Sequence, residues 1–105
     1  MRTKLGEVYR ADLGMAAKVR PVLIVSREDH DPPRDLVLAV PLTTENRGSQ
    51  NEVAMPRVRF LREISTANVQ GLQPFRPADL EGPIGRFEPS AMTGVRAALR
   101  WALDL

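Results

Sequence analysis

The chain has 105 residues, a formal net charge of +2 at pH 7 and no cysteine, a size expected of one domain spanning 1–105. The lack of cysteine excludes disulfides and thiolate metal sites, no apolar run approaches the ~20 residues of a membrane span, and Met1-Arg2-Thr3-Lys4 has no apolar signal-peptide core, so a cytoplasmic soluble domain is expected. Of 15 basic residues 13 are arginine, a bias that suits phosphate recognition by the guanidinium fork and that a GC-rich genome would equally produce.

In chain order, Glu7–Leu13 alternates as a half-buried strand that Gly14 ends. A short loop over 14–19 leads into Val22–Val25, a β-branched and aliphatic run that reads as a strand covered on both faces. Pro21 fixes its own backbone and pushes Arg20 toward an extended conformation. A cation is thereby held on a rigid edge, as an oxyanion or phosphate site requires. Residues 27–35, with Pro32-Pro33, form an exposed loop. Leu36–Leu42 is a second fully apolar strand, and Thr43 to Gln50 is a polar surface loop.

Asn51 to Val58 is expected to hold a short strand ending near Pro56. Arg57, Arg59 and Arg62 alternate with Val58, Phe60 and Leu61, which reads as the wet face of an edge strand in preference to a phosphate track. Ile64–Val69 is a further strand, 71–83 a turn-rich segment with Pro74, Pro77 and Pro83, and Ile84–Phe87 a short strand. The period then changes. Pro89 suits a first helical turn, Glu88 or Ser90 a cap, and Met92, Val95, Leu99 and Ala102 recur at helical spacing, widened by Ala98 and Leu103. Trp101 is expected to pack. The fold class that follows is mainly β with a C-terminal helix, as a small twisted sheet or partly closed barrel.

The order Gly6-Glu7-Val8-Tyr9, Arg20-Pro21-Val22-Leu23-Ile24-Val25-Ser26, Val40-Pro41-Leu42-Thr43-Thr44, Glu52-Val53, Ile84-Gly85-Arg86 and Met92…Val95…Ala98-Leu99 resembles the MazF/PemK family of toxin endoribonucleases from bacterial toxin–antitoxin pairs. The resemblance runs from Gly6 to Leu105. It implies an SH3-like barrel with a C-terminal helix, a homodimer, and cleavage of single-stranded RNA without a metal or other cofactor, leaving a cyclic phosphate and a 5′-hydroxyl. The implied partners are RNA and a cognate antitoxin whose acidic tail fills the RNA groove, with no membrane. The family's catalytic Arg falls on Arg20 and its catalytic Thr on Thr43. Lys18, Thr44 and Gln70 are weaker candidates for substrate binding. Two blocks depart from the family pattern: the loop 14–19 is short and lacks a Glu-Gln-x-Gly element, and Gln70-Gly71-Leu72-Gln73-Pro74 replaces Asp-Gln-Ile-Arg-Thr, so that Gln73 stands where the family has a cation.

The residue inventory constrains the chemistry. RNA cleavage by the 2′-hydroxyl requires proton transfer and stabilisation of a dianionic phosphorane. Histidine is the usual acid–base group, but the single His30 lies among acids and reads as a surface residue. What remains is charge: a fixed Arg20 donating to the phosphate oxygens, with a hydroxyl from Thr43. A guanidinium holds its proton near neutrality, so transition-state stabilisation is the better role for Arg20 than proton abstraction. The competing reading of Arg20 is a surface ion pair with Glu7 or Asp12; that of Thr43 is an ordinary strand-end turn. Phe87 and Trp101 are possible base-stacking rings. Two other functions compete with the ribonuclease: a CcdB-like gyrase poison acting through the chain end near Trp101, and a catalytically silent SH3-like binding module.

Overall fold

The computed structural model describes residues 2–14 and 19–105. Seven strands, numbered in chain order, are followed by one helix: β1 (Glu7–Asp12), β2 (Val19–Ile24), β3 (Val37–Thr43), β4 (Glu52–Ala54), β5 (Thr66–Asn68), β6 (Gln73–Phe75), β7 (Glu81–Arg86) and α1 (Met92–Leu103). The strands form one antiparallel sheet ordered β4-β5-β3-β2-β1-β7, with β6 also paired to β3. The mainly β architecture with a terminal helix is therefore as expected.

The middle of β2 (Val22–Ile24) and of β3 (Ala39–Leu42) is apolar because both faces are covered. Val8, Leu23 and Val40 point to the side where Phe87, Met92, Val95 and Ala98 pack. Their neighbours Tyr9, Val22 and Ala39 point the other way, against Ile24, Phe75 and Leu80. Successive residues of a strand face opposite sides, so an uninterrupted apolar run is what a doubly covered strand needs. The start of β3 departs from this expectation: Leu38, and Leu36 just before the strand, are 42% and 43% exposed.

Pro41 lies inside a central strand, where its missing N–H would normally cost a ladder bond. On one side β3 pairs with β6 through Val37–Ala39 and with β5 through Leu42–Thr43. Pro41 falls between the two partners, where no ladder bond is lost on that side.

Several expected boundaries shift. β2 begins at Val19, three residues before the apolar run, because Val19, Arg20 and Pro21 pair with Asp12, Ala11 and Arg10. The strand expected over 51–58 is only Glu52–Ala54, and that over 64–69 is Thr66–Asn68. The turn-rich segment 71–83 contains a strand, β6, and the start of another, β7. Pro74 and Pro83 conceal them, and both strands pair on one side only, where a missing N–H is most easily tolerated.

Helix α1 buries Met92, Val95 and Ala98. Ala102 is exposed, Leu103 is 52% exposed and Trp101 56%, so the expected packing of Trp101 is corrected: the last turn runs past the sheet and has nothing to bury against. The capping expectation is also corrected. Pro89 opens a 3₁₀ turn over Pro89–Ala91, and neither Glu88 nor Ala91, the cap of α1, makes a side-chain cap bond. At the other end Asp104 adopts the left-handed conformation (φ 56°) and the Leu105 N–H closes on the Arg100 carbonyl at 2.9 Å, a turn that Asp tolerates better than most residues.

Candidate nucleic-acid groove and active site

The β2–β3 register pairs Val22 with Pro41, Leu23 with Val40 and Ile24 with Ala39. Extended by two residues, it sets Arg20 opposite Thr43. Residues opposite one another across antiparallel strands share a face, with Cβ atoms about 4.5–5.5 Å apart. Both side chains are exposed at this strand end, while Val22 and Ala39 on the same face are buried. Two residues 23 positions apart in sequence thus line one open groove of about 810 Å³, which Pro21, Leu42, Thr44, Arg62 and Gln70 also line.

Arg20 forms no salt bridge among the described residues. The acids that compete for it in sequence are occupied: Glu7 Oε1 accepts from the Lys4 N–H at 2.6 Å and from the Tyr9 hydroxyl at 3.0 Å, and Asp12 Oδ1 accepts from the Gly14 N–H at 2.8 Å. The Thr43 hydroxyl donates to the Glu45 carbonyl at 3.0 Å. That bond orients the side chain, and turning the hydroxyl to a ligand exchanges one hydrogen bond for another. Thr44 and Gln70 line the same groove. Lys18 lies outside the described residues, as does most of the short loop 14–19.

The groove holds a mixed charge set in which the acids are largely spoken for. Glu45 meets Arg47 at 3.4 Å. Glu52 accepts from the Arg47 N–H at 2.9 Å and from the Ser49 hydroxyl and N–H at 2.7 and 3.1 Å; these donors, the Arg47 N–H first, hold its carboxyl below the usual range. Glu52 therefore fixes the loop between β3 and β4, one rim of the groove. Arg62 and Glu63 line the groove without a salt bridge among the described residues, so Arg20 and Arg62 are the guanidiniums left to meet a phosphate there.

The alternation of Arg57, Arg59 and Arg62 with apolar residues predicts the wet face of an edge strand. Residues 57–62 instead form an irregular segment and a turn. Gly85 has no side chain and the Phe60 ring lies directly over it, where any Cβ would collide with the ring. Phe60 also meets Phe87 edge to face, centroids 5.5 Å apart at 71°. The ring pins the turn, and the turn carries Leu61, Arg62 and Glu63 to the groove. Phe87 is accordingly a core residue, 2% exposed, and stacks on no base. His30 is exposed, contacts the Arg2 guanidinium and does not line the groove, as expected of a surface residue. Gln73, at the position of the family cation, is exposed on β6 and is absent from the groove wall.

Comparison with known proteins agrees with this geometry. Residues 4–103 match the model of the family described as PemK-like, MazF-like toxin of type II toxin–antitoxin system. The endoribonuclease MazF4 of Mycobacterium tuberculosis is 36% identical over 101 residues, covering 95% of this chain and 91% of that protein; MazF3 of the same species is 34% identical over 88 residues, 84% and 85% of the two chains. A solved mycobacterial endoribonuclease in complex with its cognate antitoxin superposes with a TM-score of 0.85 at 32% identity, covering 98% of this chain and 96% of that one. MazF from Deinococcus radiodurans, 18% identical, shares the fold with a TM-score of 0.79 over 100% and 99% of the two chains. The chain belongs to the PemK-like, MazF-like toxin family of type II toxin–antitoxin systems.

Proposed function

We infer that this chain is a toxin endoribonuclease that cuts single-stranded RNA within the groove headed by Arg20 and Thr43. The observation that carries the reading is the β2–β3 register, which sets a rigidly held guanidinium opposite a hydroxyl at one groove mouth. In the reaction the ribose 2′-oxygen attacks the adjacent phosphorus and its proton passes to solvent. The P–O5′ bond breaks, and the 5′-oxygen takes up a proton. The products are a 2′,3′-cyclic phosphate and a 5′-hydroxyl. Arg20 donates to the non-bridging oxygens as the phosphorane gains charge, and Thr43 adds a second donor. Fixed donors of this kind act where charge develops and need no reorganisation. No step calls for a metal or other cofactor.

Thr44 and Gln70 contact the flanking nucleotides, and Lys18 serves the neighbouring phosphate. The protein acts as a homodimer in the cytoplasm, where cleavage of RNA stops translation and growth, and a cognate antitoxin restrains it by covering the groove. Support for the antitoxin comes from the mycobacterial relative solved with its own; among the described residues no helix is long and apolar enough to cross a membrane. The gyrase-poison and silent-module alternatives are not favoured, since the curated relatives are endoribonucleases.

The test is incubation of the purified protein with short single-stranded RNAs of varied sequence in EDTA, followed by mass spectrometry of the ends. Cyclic phosphate and 5′-hydroxyl ends are expected. RNA left intact across all sequences overturns the reading.

A further inference from the structure

Donors from Arg20 and Thr43 answer the charge on the phosphate oxygens, but they give the attacking 2′-oxygen nowhere in the protein to leave its proton. A guanidinium keeps its own proton, and His30 does not line the groove. Carboxylates are the acceptors that remain, and among the described residues Glu45, Glu52 and Glu63 line the cavity. Two of them are engaged. Glu45 meets Arg47, and Glu52 takes up the Arg47 N–H together with the hydroxyl and N–H of Ser49. Glu63 is exposed and, among the described residues, is held by no ion pair and no side-chain hydrogen bond.

The sheet brings this free carboxylate to the end where Arg20 and Thr43 meet. On its other side Thr43 pairs with Thr66, so Arg20, Thr43 and Thr66 form one row across β2, β3 and β5. Thr43 ends β3 and Thr66 begins β5. The chain therefore comes into the sheet through Glu63 beside the point where β3 leaves it, and three residues span at most about 10 Å. The Phe60 ring over Gly85 fixes the turn that carries Glu63. Arg20 thus faces the groove from β2, and Glu63 from the segment before β5. An unpaired carboxylate repels a polyanion and works against RNA binding, which makes sense of it only if it acts in the chemistry.

We propose that the Glu63 carboxylate is the general base of the cleavage, taking the 2′-hydroxyl proton as that oxygen attacks phosphorus. The proposal rests on the ribonuclease reading and gives the proton an acceptor on its way to solvent. The O2′–H bond breaks toward Glu63 while the O2′–P bond forms. The P–O5′ bond then breaks, and the 5′-oxygen takes a proton from water. The hydroxide left behind is neutralised by the proton that Glu63 gives up, so the enzyme ends as it began. A positioned carboxylate can serve as such a base, whereas a guanidinium cannot.

The experiment compares the wild type with Glu63→Gln and Glu63→Asp in single-turnover cleavage of short single-stranded RNAs in EDTA, from about pH 6 to 9, with affinity for uncleavable 2′-deoxy analogues measured by anisotropy. The other charged groups lining the groove are Arg20, Glu45, Arg47, Glu52 and Arg62, and all are left in place. Glu63→Gln is expected to slow cleavage at neutral pH by about a hundredfold or more and to bind the analogues at least as tightly, since it removes a repelling charge. Its rate should rise about tenfold per pH unit as hydroxide replaces the carboxylate, while the wild-type rate stays far flatter. Glu63→Asp, a carboxylate on a shorter arm, should fall between the two. The melting temperature should hold in both variants, because the side chain is exposed and unpaired. Cleavage by Glu63→Gln within about threefold of wild type at neutral pH overturns the base and leaves the ribonuclease reading standing. A slower variant whose pH profile runs parallel to the wild type, or whose affinity falls as far as its rate, also overturns it, since that marks a positioning or binding role. A wild type that cuts no member of the panel overturns both readings.

Discussion

A double-mutant cycle across β2 and β3 tests whether Arg20 and Thr43 serve one phosphate. Arg20→Ala removes a fixed cationic donor aimed at a developing dianion, a loss of about 10²–10³ in rate, or about 2.7–4 kcal/mol. Thr43→Val keeps the branched shape but removes a neutral donor. Because that hydroxyl must first leave the Glu45 carbonyl, its net contribution is that of an ordinary exchanged hydrogen bond, about 0.5–1.5 kcal/mol. Side chains facing each other on one strand pair and touching one transition state do not act independently. The double variant should fall short of the summed losses by about 0.5–1.5 kcal/mol, up to the whole Thr43 contribution. Arg20→Lys, which keeps the charge but not the fork, should lie between wild type and Arg20→Ala. The assay is single-turnover cleavage of a short RNA in EDTA with thermal melts alongside. Arg20 is exposed and without a salt bridge among the described residues, so Arg20→Ala should change stability by no more than about 0.5 kcal/mol. An Arg20→Ala enzyme that melts normally and cuts within a few-fold of wild type refutes the assignment, and strictly additive losses refute the shared phosphate.

Three further outcomes follow from the packing and the titrating groups. Gly85→Ala must evict the Phe60 ring, an overpacking cost of about 1–3 kcal/mol, read as a melting temperature lower by about 5–15 °C, and it should weaken RNA binding because the turn carrying Arg62 loses its anchor. Tyr9 is the only tyrosine; burial, then its bond to Glu7, pushes its hydroxyl from 10.0 up to about 12. The unfolded chain ionises first, so the stabilisation is whole below pH 10 and is lost as pH rises toward 12, by about 2–3 kcal/mol in all; alkaline denaturation series should show this slope, and Tyr9→Phe should abolish it. Glu52 has the opposite sign. Its carboxyl is held below the ordinary 4.5, so it stabilises the rim loop above that pH and ceases to do so as pH falls through its folded value; acid unfolding of Glu52→Gln should lose this component while the neutral-pH sheet, followed by circular dichroism, stays intact.

The chain's own pattern sets out the architecture where a residue's role depends on its neighbours in sequence. The apolar runs at Val22–Val25 and Leu36–Leu42 and the helical spacing of Met92, Val95 and Ala98 are such cases. So is the Arg20-Pro21 dipeptide, whose rigidity is local. The lack of a second histidine likewise directs the chemistry toward charge stabilisation.

Tertiary structure decided whatever depends on which segment faces which. Register, a property of two strands together, set Thr43 against Arg20 across the sheet. Strands β6 and the start of β7 are hidden in the sequence because their prolines read as turn residues, and only the sheet order shows that both lie where one-sided pairing suffices. Trp101 is exposed against expectation because helical spacing says which residues share a face but not how far the underlying sheet extends. Arg62 reaches the groove through a contact between Phe60 and Gly85, 25 residues apart. Local order follows from short-range sterics and periodicity; the site follows from long-range pairing, which one sequence encodes without displaying.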